Sequence, residues 1–134
     1  MDWICRSDQL AGESYRRAQA PTPCNLGPLL AIGAFSEILL GFFDRERKAY
    51  DEIPIREQVE VLALTGNFTE QDTSPRLHAH AVVGKRDGSA YGGHLLRATV
   101  FPTLEVVATE VAAELRRAVD PETGVALIRQ IVRT

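Results

Sequence analysis

Apolar and polar positions alternate over several stretches of the chain, and a period of two marks a strand with distinct faces. In residues 77–83, Leu77, Ala79, Ala81 and Val83 fall on one side and His78 and His80 on the other. In residues 59–68, Val59, Val61, Ala63 and Thr65 alternate with Glu60, Leu62 and Leu64, the pattern of a strand covered on both faces. Residues 30–35 form a short apolar segment, and residues 37–43 have the length and aromatic content of a buried strand. A charged turn at 44–48 leads to a strand over 49–53, which Pro54 is expected to close.

The rest of the pattern is mixed. Residues 99–103 read as β. Within 104–119 the first six residues carry strand-like β-branched content, while the second half has a helical composition. Asp120-Pro121-Glu122-Thr123-Gly124 reads as a turn before a last apolar element at 125–132. Near the start, residues 9–20 could form a short helix with Leu10, Ala11, Tyr15 and Ala18 on one side. Pro21, Pro23 and Pro28 then enforce an irregular connection.

Composition narrows the function classes. The 134 residues fit one domain, and 45% hydrophobic with 25% charged residues is an ordinary globular mixture. The net charge of −3 supplies no global basic field to draw in nucleic acid. The first eight residues lack a basic region followed by an apolar run, and the greasy stretch at 29–43 is interrupted by Ser36 and Glu37. A cytoplasmic protein is expected, with Cys5 and Cys24 reduced.

The chemistry concentrates in residues 77–96, which hold all three histidines, His78, His80 and His94. The stretch reads as a β-hairpin, because Asp87-Gly88 is a turn signal between two strand-like runs. His78 and His80 share one strand face, roughly 6–7 Å apart, which suits two ligands of one ion. The register of His94 depends on the loop. A two-residue Asp87-Gly88 loop pairs His80 with Leu95 and turns His94 to the wrong face. A three-residue Arg86-Asp87-Gly88 loop, with Gly88 left-handed in a G1 bulge, pairs Lys85 with Ser89 and His80 with His94. Gly92 and Gly93 would leave room beside His94 for a ligand or another backbone.

Three histidines and an open fourth position make a catalytic-type zinc site, although histidine alone does not exclude iron, nickel, manganese or copper. His-X-His pairs also occur as ordinary surface residues. Glu60 is either a partner of the metal or the exposed start of its strand. Arg76 and Arg97 are candidate contacts for an anion. Ser36, Ser74 and Ser89 offer a serine nucleophile, but none sits in a nucleophile-elbow context.

An ordered set of motifs closely resembles the plant-and-prokaryote-conserved (PPC) domain family. It comprises Ile32-Gly33-Ala34-Phe35, Glu60-Val61-Leu62-Ala63-Leu64-Thr65-Gly66-Asn67, Leu77-His78-Ala79-His80, Asp87-Gly88, Gly92-Gly93-His94-Leu95, Pro102-Thr103-Leu104-Glu105-Val106-Val107 and the 120–124 turn. The resemblance implies an α/β (α+β) domain over residues 29–134, with a central, largely antiparallel sheet, one or two helices and a homotrimeric assembly. It also implies a divalent metal, usually zinc, at His78, His80 and His94.

The wider superfamily includes acetolactate decarboxylases, which look similar in their zinc-binding histidines and suggest an enzyme acting on a small carboxylic acid. Plant members act in DNA-binding proteins through appended AT-hooks, which suggests a regulatory, DNA-associated module. No Arg-Gly-Arg-Pro hook occurs in this sequence. The plant Gly-Arg-Phe-Glu-Ile-Leu partner motif is replaced by Glu57-Gln58-Val59-Glu60-Val61-Leu62. Residues 1–28 read as a divergent lead-in without the family's usual opening strand.

Overall fold

The computed structural model describes residues 3–5, 26–71, 74–111 and 115–130. Their strands join one sheet: β1 (Trp3–Cys5), β2 (Leu26–Asp44), β3 (Ala49–Ile55), β4 (Val59–Gln71), β5 (Ser74–Gly84), β6 (Ala90–Glu110), β7 (Leu115–Val119) and β8 (Ala126–Gln130). The order is β3-β2-β6-β5-β4-β7-β8, with β1 added on β6. Pairing is antiparallel except where β7 joins β4 in parallel at Glu70 and Arg116.

The sheet closes on itself, because β2 pairs with β4 as well as with β6. The ring β2-β6-β5-β4 encloses the core, where Phe35, Leu40, Val59, Val83 and Val100 are fully buried. Closure of this kind satisfies strand edges that an open sheet would leave exposed. The alternation in β5 follows its sequence from residue 78 on: Ala79, Ala81 and Val83 are buried and His80 on the opposite face is exposed, whereas Leu77, expected on the buried side, is 40% exposed.

Several elements differ from the sequence reading. Residues 30–35 and 37–43 belong to one 19-residue strand. Register shifts along β2, including one between Phe35 and Glu37 against β6, absorb the polar Ser36-Glu37 pair by bending the strand. Strand β3 runs through Pro54 to Ile55. Among the described residues it pairs with β2 alone, so the missing proline N–H breaks no ladder on its outer side. A short opening strand does exist, with Trp3–Cys5 paired to Leu104, Glu105 and Val106.

The expected helices are absent from the described residues. Residues 9–20 lie outside them. Residues 115–119, helical by composition, form β7. Helix propensity is worth only tenths of a kcal/mol per residue, and five backbone pairings with β8 override it. The 120–124 turn starts that hairpin: Gly124 N–H donates to the Asp120 carbonyl at 2.7 Å, and Thr123 N–H to Asp120 Oδ2 at 2.9 Å. No helix among the described residues is long and apolar enough to cross a membrane.

Candidate metal centre

The β5–β6 hairpin sets the register of the site. Gly88 N–H donates to the Lys85 carbonyl at 3.0 Å, and Lys85 N–H to the Ser89 carbonyl at 2.8 Å. Gly88 has φ +85°, the left-handed conformation that closes a three-residue loop with a bulge. Asp87 Oδ1 accepts from Ser89 N–H at 2.9 Å and holds the loop. Gly84 therefore faces Ala90, and four pairs further on His80 faces His94.

The three imidazoles meet on this register. Ring centroids of His78, His80 and His94 are 4.9–5.5 Å apart, and one nitrogen from each lies within 4.8 Å of the others. Two metal–nitrogen bonds of about 2.0–2.1 Å span at most about 4.2 Å, so small ring rotations bring these atoms onto one ion. His94 is held from behind. Its ring stacks on Tyr50 at 4.7 Å, and its residue pairs with Gly41 of β2. A Cβ on Gly93 would sit 2.9 Å from the Gly41 carbonyl oxygen, so the glycine there admits another backbone.

The donor set fits a divalent ion. His94 Nδ1 is buried without a hydrogen-bond partner among the described residues. A buried polar atom left in this way costs about 1–3 kcal/mol, which a metal bond would remove. Burial pushes the His94 pKa down to about 4, helped by His78, His80 and Arg117. Burial, then Arg117 and His80, also lowers that of His78. Both residues are thus held neutral near pH 7, the form that ligates.

A cavity of about 240 Å³ beside His78 and His94 is lined by those two histidines with Tyr50, Arg76, Arg117 and Ala126 among others. Of the sequence candidates, the structure brings Arg76 to this cavity. It does not bring Glu60 or Arg97. Glu60 is exposed and pairs with Gly84, five residues along β4 from the partner of His80, about 16 Å away at strand rise. Arg97 lines a separate groove with Glu37, Glu52 and Arg56.

Arg117 and Tyr50 join the site without having been singled out. Arg117 comes from β7: its Nε donates to Thr69 Oγ1, Nη2 to Asn67 Oδ1 and Nη1 to the Ala126 carbonyl, each at 2.7 Å. The one available signal was its place three residues before the 120–124 turn, and the helical reading of that stretch hid which way it faces.

Residues 23–112 match the Plants and Prokaryotes Conserved (PCC) domain. The chain belongs to this family. Among solved structures, a provisionally named DNA-binding protein of Bacteroides thetaiotaomicron is 36% identical, with TM-score 0.75 and coverage of 80% of this chain and 75% of that one. A metal-containing protein of Archaeoglobus fulgidus is 37% identical, with TM-score 0.73 and coverage of 80% and 76%. A plant- and prokaryote-conserved protein of Pyrococcus horikoshii is 28% identical, with TM-score 0.74 and coverage of 82% and 76%. No curated protein matches the chain.

Proposed function

We propose that this PCC-domain protein holds one divalent metal ion, zinc by preference, through His78, His80 and His94. The convergence of three imidazole nitrogens within 4.8 Å carries the reading. The metal-containing Archaeoglobus relative supports it. An ion held by three neutral nitrogens keeps a position for water or substrate, where it lowers the pKa of the water or polarises a carbonyl. Metal analysis of the full chain purified without chelators is expected to find about one ion per chain and a large loss in His80→Ala. A metal-free wild type that also takes up no zinc when supplied with it would sink the proposal.

DNA association is the second reading, favoured by the names of the Bacteroides relative and of a Ralstonia eutropha protein 32% identical to this chain. It would show as duplex binding that weakens steeply with salt. The negative net charge works against it.

We also propose the homotrimer that the family resemblance implies. Leu30 and Val107 are paired across β2 and β6, and both are exposed, as is Ile32 two residues along β2. This apolar patch on the outside of the ring is what a second copy would cover.

A further inference from the structure

Among the described residues, the cavity beside His78 and His94 is lined by two arginines, Arg76 and Arg117, and by no carboxylate. The two arginines differ in freedom. Arg76 is exposed and can turn into solvent. Arg117 is half-buried, and its Nε, Nη1 and Nη2 donate to Thr69 Oγ1, the Ala126 carbonyl and Asn67 Oδ1, all uncharged acceptors. Burial pushes its pKa down, but a guanidinium stays charged at neutral pH. Asn67 in turn faces His78 across the β4–β5 ladder, where paired side chains share one face with Cβ atoms about 4.5–5.5 Å apart. A fixed positive charge is thus one side chain away from a metal ligand.

A divalent ion among three neutral imidazoles meets that charge. Two cations in a half-buried space repel each other more strongly than in water. The same field already acts on the histidines: after burial, the charge of Arg117 is among the causes that disfavour a proton on His78 and on His94. The element that carries the charge is also lightly held. Strand β7 joins β4 through one backbone pairing, Glu70 with Arg116, to which Arg117 adds its bonds to Thr69 and Asn67. By contrast, five pairs join β5 to β6 beneath the histidines. Repulsion between the ion and Arg117 is therefore relieved more readily by movement of the arginine's hairpin than by movement of the ligands.

We propose that Arg117 couples metal occupancy to the docking of the β7–β8 hairpin. With the hairpin docked, its charge weakens the hold of His78, His80 and His94 on a divalent ion, and the bound ion loosens the hairpin in return. Thermodynamic linkage makes the two effects equal in factor. The coupling rests on the metal reading, and it turns the C-terminal hairpin into the element that responds when the centre fills.

Zinc affinity of the full chain, measured by competition with a chromophoric chelator, tests it together with amide hydrogen exchange. Arg117→Gln removes the charge and is expected to bind zinc about fivefold or more tightly than the wild type. That gap should narrow as a non-coordinating salt is raised, because screening acts on charge repulsion and not on lost packing. In the wild type, where no substitution disturbs the clamp, zinc is expected to speed exchange in β7 severalfold while β5 and β6 exchange no faster. Equal or weaker zinc binding by Arg117→Gln, a gap indifferent to salt, or β7 amides as well protected with zinc as without it would overturn the coupling. If the wild type holds one zinc and any of these results is found, the coupling alone is refuted. Zinc uptake by neither protein refutes the metal reading, and the coupling with it.

Discussion

His94 is the histidine on which the rest of the cluster turns. Tyr50 covers one face of its ring, and its Nδ1 is shut away from solvent and unpartnered among the described residues. With a folded-state pKa of about 4 against an ordinary value near 6.5, the folded chain resists a proton that the unfolded chain accepts. Between these two values the unfolded state binds more protons, so stability rises with pH across that window. The contribution is complete above about pH 6.5 and is lost as the pH falls toward 4. Thermal unfolding of metal-free protein should therefore shift to lower temperature over that range, and His94→Gln should flatten that part of the profile. A wild-type profile that is level from pH 6.5 to 4 would contradict the burial of this imidazole.

The elements divide the work between two hairpins. The β5–β6 hairpin aligns the histidines through its bulged loop, and the β7–β8 hairpin brings the arginine through β4. The second attachment rests on few contacts, so it is the more easily loosened. In Thr69→Val the side chain keeps its volume while Arg117 Nε loses its buried acceptor. A cost of about 1–2 kcal/mol is expected, with faster amide exchange in β7 and little change in β5 or β6. Unchanged protection of β7 would mean that the arginine clamp does not hold the hairpin. The two candidate histidine registers were legible because strand alternation and the turn signal are local properties, while the choice between them was not. Nor was Arg117, because its direction depends on whether residues 115–119 are helix or strand, and pairing with β8 and β4 decides that.

For the whole molecule, ring closure buries one side of β2, β4, β5 and β6 and leaves Leu30, Ile32, Leu62, Phe101 and Val107 outside. Light scattering on purified protein is expected to give three times the 14.8 kDa chain mass. Ile32→Asp places a charge in the proposed contact and should shift the protein toward monomer at micromolar concentration. A monomeric wild type, or a trimer indifferent to Ile32→Asp, would remove this patch as the interface.

The amino-acid sequence by itself determined the strand faces of residues 78–83, the position of the Asp87-Gly88 turn and the family motifs, because these depend on neighbours within a few residues. It also presented the choice between two loop lengths, on which His94 depended. Only the tertiary structure decided that the bulged loop forms and that β2 is one bent strand. The structure alone also put Glu60 about 16 Å along β4 from the His80 pairing and placed Arg117 beside the histidines. Apart from the loop, those outcomes depend on contacts between residues far apart along the chain: Arg117 lies 48 and 50 positions from its β4 partners Thr69 and Asn67, and Leu30 of β2 pairs with Val107 of β6. Which distant strands pair is settled by closing the ring around one core, and no local pattern contains that information.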